Sequence, residues 1–520
     1  MSRLSCGAML LCLLALRSPI VGAAEPAPPL RLGVLHSLSG TMASSERPLV
    51  EAARMAIDEI NLRGGVLGRP LQPVVADGKS DGETFAREAE RLIVQEKVVA
   101  LFGCWTSASR KAVLPVIEEH RQMLWYPLQY EGQESSPYII YTGAVPNQQI
   151  IPAVEWCRRE FGSRMFLVGS DYVFPRTVHA IIKEQLAQAG EAPVGEAYQP
   201  LGSSDFDEIV ARIRDSQPQV VLNTINGDSN HAFFAAFVAA GLDPRQLPIM
   251  SFSVAETQLL HIGRELTAGH YCSWNYFQSI DTPANRRFVR EFRRRYGADR
   301  VTDDPMEAAY VQIHLFAKAV EKCGSTNVDA IRRAVRGLVF AAPSGLVRID
   351  PRNQHTWKVA RIGRAQNDGQ FRIVWSSEDP LPPQPYRPEL FLRPAAEQEK
   401  IMIDSISNLS DLESSESSPA SSTSLLADIA NVRGRLATVN AQFRIAVLER
   451  QQHNRLAFEH FWREFTASCH RLSRRREEFT PSQLEAYDHF GKARESFSQN
   501  AAAMMTALYP AESVGSEVEP

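Results

Sequence analysis

From Leu30 to about Tyr141, short runs of apolar and β-branched residues alternate with longer segments whose apolar positions recur at helical spacing. Leu30 to Leu35, Leu71 to Val75, Val98 to Phe102 and Met123 to Tyr126 read as strands; Leu49 to Leu62, Glu83 to Gln95 and Arg110 to His120 read as helices. In the first of these helices Ala52, Ala53, Ala56, Ile57 and Ile60 share a face, and Gly64-Gly65 ends it because glycine tolerates a left-handed cap. A second series follows, with strands at Met165 to Val168, Val220 to Asn223 and Leu247 to Ser251 and helices at Pro175 to Ala189, Phe206 to Asp215 and His231 to Ala240. Pro175 at a helix start, and Gly190 and Gly241 just past helix ends, are the expected punctuation. The alternation predicts βαβ units on parallel sheets. Two units of similar size imply a two-lobed α/β protein in which the loops beyond the strands' carboxyl ends surround one cleft.

Two further helices, from Pro283 to Tyr296 and from Pro305 to Glu321, precede short strands at Val347 to Ile349, Val359 to Ile362 and Phe371 to Trp375. The pattern breaks at Pro380, where prolines at 380, 382, 383, 385 and 388 enforce a stiff, extended exit. A Pro/Ser-rich linker over 388–424 leads to Leu425, Ile429, Val432, Leu436, Val439, Phe443 and Ala446, which step by four and three in turn. That stepping predicts a helical extension over 425–510, either an intramolecular hairpin or a self-associating coiled coil, followed by an acidic, disordered tail over 511–520.

Composition narrows the function. With 520 residues, 44% hydrophobic and 22% charged, the chain has the make-up of an ordinary folded protein. Its net charge of -4 supplies no global field for nucleic acid, and the arginine runs at 293–295 and 474–476 read as solvated helix faces. Residues 1–24 combine Arg3, an apolar run from Ala8 to Leu16 and the small residues Val21-Gly22-Ala23-Ala24, the pattern of a secretory signal peptide. The run is too short to span a bilayer, so an exported, soluble protein is expected. The five cysteines beyond it, Cys104, Cys157, Cys272, Cys323 and Cys469, have no metal-ligand spacing and read as small buried hydrophobes, with room for one disulfide. No hydrolase elbow, zinc-protease, phosphate-loop, dinucleotide or EF-hand motif occurs, and the histidines are scattered. An enzyme, a metal site and a cofactor are therefore not expected.

What remains are polar and aromatic loops at strand ends. These are the run from Phe102 to Ser107, which enters a helix through Thr106 and Ser107, the aromatic stretch from Leu124 to Glu131, Gly169 to Tyr172, and Asn223 to Asn230. Helix capping, core filling and turn chemistry are the structural alternatives for each. The stretches HSLSGTMA at 36–43, FGCWTSASRKAVLP at 102–115, WYPLQYEG at 125–132, PNQQIIPAV at 146–154, GSDYVFPR at 169–176, NGDSN at 226–230 and VTDDPMEAAY at 301–310 resemble the urea-binding, type I periplasmic binding proteins of urea and short-chain amide ABC transporters. The resemblance covers about residues 30 to 387. It implies two Rossmann-like lobes over 25–387, discontinuous in sequence and joined by a hinge, which close on a small uncharged solute and deliver it to a membrane permease.

By position in the matching motifs, the resemblance implies Trp105 and Ser107 as platform and hydrogen-bond partner and Tyr126 as a second wall in the first lobe. Tyr172 and Asp228 are implied to approach from the second lobe, the carboxylate accepting N–H bonds from the amide edge. Urea presents one carbonyl acceptor and two N–H2 groups, and each left unpaired on burial costs roughly 1–3 kcal/mol. The extension beyond 388 departs from a plain transporter component and opens a second reading, an amide-sensing or regulatory protein that signals through its carboxyl-terminal helices.

Overall fold

A computed structural model of the chain describes residues 27–134 and 136–385, together with single positions between 466 and 488. The expected leader over 1–24 and tail over 511–520 lie outside the described residues. The linker over 388–424 and nearly all of the extension over 425–510 lie outside them as well.

The first lobe is a five-stranded parallel sheet of β1 (Leu30–His36), β2 (Leu71–Asp77), β3 (Ala100–Gly103), β4 (Leu124–Tyr126) and β5 (Ile139–Tyr141), in the order β2-β1-β3-β4-β5. Its first three crossovers are α1 (Ala43–Asn61), α2 (Gly82–Val94) and α3 (Ser107–Glu119). The register of Leu32, Val34 and Leu35 against β2 and β3 buries all three completely, as a strand covered on both faces requires.

The second lobe begins with α4 (Ile150–Glu160) and β6 (Met165–Ser170), then α5 (Val173–Gln188), β7 (Gly195–Gln199), α6 (Asp207–Ser216), β8 (Val220–Thr224) and α7 (Ser229–Ala239). It continues through β9 (Ile249–Ser251), α8 (Glu256–Ile262), α9 (Arg264–Thr267) and β10 (Tyr271–Trp274). The chain then returns to pack α10 (Pro283–Tyr296), α11 (Asp304–Cys323) and α12 (Val328–Val335) on the first lobe's core. A small antiparallel sheet follows, made of β11 (Val339–Ala342), β12 (Gly345–Ile349) and β13 (Thr356–Trp357). Finally β14 (Arg361–Ala365) and β15 (Phe371–Ser376) add antiparallel strands beside β10 on the second lobe's sheet.

Each lobe is thus assembled from separate stretches of chain, and the connections between them pass the hinge near Val145, Asn275 and Ala360. One core holds residues from Leu30 to Val145 together with Tyr276 to Ile349, and the others hold Ile150 to Trp274 with Ile362 to Phe371. Such interleaving lets two rigid bodies rotate about a few extended segments.

The structure departs from the pattern reading in three places. The second sheet is mixed, because β14 and β15 run antiparallel to their neighbours. The chain also holds strands and helices that periodicity did not reveal, among them β5, β7, β10, α4, α8 and α12. Most of these are too short or too uniformly apolar for a period to show. Finally, α1 starts at Ala43 and carries Pro48 inside it, where proline would ordinarily mark the helix start. Cys104, Cys157, Cys272 and Cys323 are unpaired thiols, the first three of them buried.

Under the cleft, Arg110 of α3 is completely buried. Its Nε donates to Glu134 at 2.8 Å, its Nη2 to Glu131 at 2.9 Å and its Nη1 to Ser107 at 3.1 Å. The guanidinium lies over the rings of Tyr126 (4.8 Å) and Tyr130 (4.6 Å). Burial opposes its charge, but Glu134 and Glu131 outweigh that and hold it fully protonated. Replacing Arg110 with Met leaves the buried Glu131 carboxylate without its cation and Glu134 with Lys111 alone, at 3.6 Å. The expected cost is roughly 3–5 kcal/mol of unfolding free energy, read from the midpoint of a chemical denaturation curve.

Candidate functional site

The loops after β1, β3 and β6 meet at the gap between the lobes. Gly103 ends β3 at φ 153°, and a Cβ there would sit 1.9 Å from the Leu35 carbonyl oxygen; Cys104 follows at φ 63°. This sharp turn, which needs glycine's freedom, carries Trp105 and Thr106 into the gap. Thr106 caps α3, its Oγ1 accepting from the Ser109 N–H at 3.0 Å. The remaining first-turn N–H groups of α3, which have no intrahelical acceptor, lie beside the gap with the positive end of the helix dipole.

Between the lobes lies an enclosed cavity of about 70 Å³. The first lobe contributes the hydroxyl-bearing Ser37, Ser80, Thr106 and Ser109, the carboxylate of Glu46, and apolar walls from Met42 and Phe85. Tyr172 and Leu201 close it from the second lobe. Glu46 is 1% exposed; its Oε2 accepts from the Ser37 N–H at 2.8 Å and lies 3.0 Å from Nδ1 of His36. A larger hollow of about 760 Å³ between α1 and α10, lined by Asp58, Leu62 and Arg295 among others, is an open groove on the outer surface, away from the strand ends. We place the site in the enclosed cavity, where strand-end loops from both lobes converge.

Polar contacts close the gap around this cavity. Ser44 donates to Asp228 at 2.9 Å, Trp105 Nε1 to Asn226 at 3.3 Å, Gln258 to Ser45 at 3.2 Å and Gln129 to the Phe252 carbonyl at 3.0 Å. Gly227 at φ 66° touches the first lobe so closely that a Cβ would stand 2.8 Å from the Thr41 carbonyl oxygen.

The five residues singled out in the sequence fall at different distances from the cavity. Tyr172 lines it. Trp105 bridges the lobes through Asn226. The hydroxyl of Ser107 is engaged by Glu131 and Arg110, and that of Tyr126 donates to the Trp105 carbonyl at 2.6 Å, so both build the floor beneath. Asp228 stands at the rim with its side chain 48% exposed, held by Ser44 and by His261 Nε2 at 3.2 Å. Glu46, Ser80 and Ser109 escaped the sequence reading. Glu46 follows the HSLSGTMA stretch by three residues and looks there like a solvated acid.

The periplasmic binding protein domain family matches residues 30–390. The chain belongs to that family. A Leu/Ile/Val-binding protein homolog 6 of Brucella abortus is 28% identical over 274 residues, covering 51% of this chain and 70% of the relative. A protein of Geobacillus stearothermophilus named limonene hydroxylase is 37% identical over 147 residues; the match spans only 27% of its length and 28% of this chain, and no activity transfers on it. Among solved structures, an ABC-transporter solute-binding protein from R. palustris in complex with 4-hydroxybenzoate superposes with a TM-score of 0.62 at 23% identity, covering 68% of this chain and 98% of that one. A branched-chain amino acid transporter substrate-binding protein of Streptococcus pneumoniae with isoleucine gives 0.59 at 18%, covering 67% and 99%. These establish the type I fold of the family. The protein is a solute-binding receptor and not an enzyme, of a periplasmic family whose members work with ABC transporters. Among the described residues no helix is long and apolar enough to cross a membrane.

On the hinge side of the gap, Glu256 of α8 and Asp303, the N-cap of α11, are buried near each other across the lobe boundary. Asp303 accepts hydrogen bonds from Thr257 and, at 3.0 Å, from the Met306 N–H, yet burial pushes its carboxyl up to about 6. Burial and the neighbouring Asp303 raise Glu256 as well. A carboxyl raised in the folded state binds more protons there than in the unfolded chain, so its contribution to stability falls as pH rises between 3.8 and about 6. Thermal melts over that window are expected to show the native chain losing on the order of 3 kcal/mol relative to Asp303→Asn, which keeps the cap but cannot ionise.

Proposed function

We propose that this receptor captures urea or a short-chain aliphatic amide and hands it to an ABC permease. The observation that carries this reading is the size of the closed cavity, about 70 Å³, far below the roughly 300–1,000 Å³ of pockets for drug-sized ligands. A solute of urea's dimensions suits such a space, whereas the aromatic and branched ligands of the solved neighbours need a wider gap. The polar lining supports it too. The uncapped N–H groups at the amino end of α3 offer a place for a carbonyl oxygen, and Tyr172 covers the ligand's face. On this reading Trp105 and Asp228 contribute by joining the lobes over the trapped solute, with Ser107 and Tyr126 supporting the floor.

The same reading assigns residues 25–387 to ligand capture, in keeping with the family match over 30–390, and leaves the chain beyond 388 as an attachment to a partner or a second copy.

In calorimetric titrations of the mature chain, urea and acetamide are expected to bind and to raise the melting temperature, by about 2.7 kcal/mol of added stability at a hundredfold excess over Kd. Stabilisation by 4-hydroxybenzoate or isoleucine with no response to any amide would refute the proposal. Gly227→Ala, which inserts a methyl group against Thr41, is expected to weaken amide binding at least tenfold while the free chain melts within a few degrees of the native one.

A further inference from the structure

We infer that Glu46 is the specificity-determining residue of the cleft: it accepts an N–H of the trapped amide and rejects carboxylates of the same shape. The inference rests on the reading of the cavity as an amide site and adds the group that reads the nitrogen end of the ligand.

The first support is the division of labour between the two carboxylate oxygens. Oε2 takes both fixed donors, the Ser37 N–H at 2.8 Å and Nδ1 of His36 at 3.0 Å. Oε1 makes no hydrogen bond among the described residues, although the side chain is 1% exposed and lines the cavity. The protein leaves this oxygen facing the cavity without a donor, and an N–H2 group bound there supplies one.

The second support is orientation. His36 and the Ser37 backbone hold the carboxylate from behind, so its position does not depend on ligand. Among the described residues its ion-pair partner is His36, behind the carboxylate, and no lysine or arginine pairs with it. The same cavity is lined by Thr106, Ala108 and Ser109 of the first turn of α3, which prefers an oxygen acceptor. An acceptor pole and a donor pole in one cavity match an amide, which has a carbonyl oxygen at one end and N–H at the other. A carboxylate ligand satisfies the helix end but offers Glu46 an acceptor in place of an N–H, and carboxylate against carboxylate is unfavourable.

The test compares acetamide, acetate and acetone, which share a shape and differ only in the group offered to Glu46, by calorimetry on the full chain and on Glu46→Gln. In that variant the side-chain carbonyl keeps the Ser37 N–H while an N–H2 replaces Oε1. The native chain is expected to bind acetamide, to bind acetone at least tenfold more weakly and to show no heat with acetate. Glu46→Gln is expected to lose at least tenfold in acetamide affinity with a melting temperature close to native. If that variant does not fold, the isostere series on the native chain decides. Acetate bound as tightly as acetamide, or a folded Glu46→Gln with unchanged acetamide affinity, overturns the role of Glu46 and leaves the amide reading standing. Binding of isoleucine or 4-hydroxybenzoate with no amide bound overturns both.

Discussion

A guanidinium removed from water persists only where opposite charge and hydrogen-bond acceptors surround it, and the placement of Arg110 imposes that condition on everything beneath the cleft. Its ion pairs with Glu131 and Glu134 draw the loop after β4 against α3. Burial works against the Glu134 charge, yet Arg110 and Lys111 together hold its carboxyl below the usual range. Tyr141 donates to the same Glu134 and stacks on His355, 4.3 Å away, so the arrangement reaches the segment that connects the lobes. A buried ionic cluster of this kind adds little net stability compared with apolar packing, but it tolerates few alternative geometries. It sets the direction in which the amino end of α3 points.

Against that rigid floor the seam between the lobes is held by single hydrogen bonds such as Ser44 to Asp228 and Gln258 to Ser45, each worth about 0.5–1.5 kcal/mol. The buried acids Glu256 and Asp303 oppose closure whenever they ionise. A small ligand shifts a population between open and closed forms only where the two lie close in free energy. Stronger contacts would lock the lobes without cargo. Weaker ones would fail to retain a solute that offers only a few hydrogen bonds.

The solved neighbours show that one fold accommodates 4-hydroxybenzoate in one protein and isoleucine in another. Selectivity therefore resides in the side chains that fill or line the gap, and not in the sheets that carry them. Here Met42, Phe85 and Tyr172 narrow the space, and Glu46 places a carboxylate in it.

The strands and helices with strong periodicity were legible without coordinates: Leu32, Val34 and Leu35 alternate with nothing polar because β1 is covered on both faces, and Ala53, Ala56, Ile57 and Ile60 follow the turn of α1. The two-lobed α/β architecture followed from that spacing and from the motifs. Short elements such as β5 and β10, at three and four residues, carry too few positions for a period to show. The start of α1 was masked by Pro48, which local chemistry places at a helix entrance and which tertiary packing absorbs five residues further in. That displacement decided the site, because Glu46 reads as a solvated acid until the helix is seen to begin at Ala43 and to turn the residue against His36 and Ser37. Ser107 and Tyr126 were visible as polar groups at strand ends, but which of their hydroxyls would be consumed by Glu131 and by the Trp105 carbonyl depends on residues far apart in the chain. Local spacing determines which groups can hydrogen-bond; only the folded arrangement decides which of them are already satisfied and which remain free for a ligand.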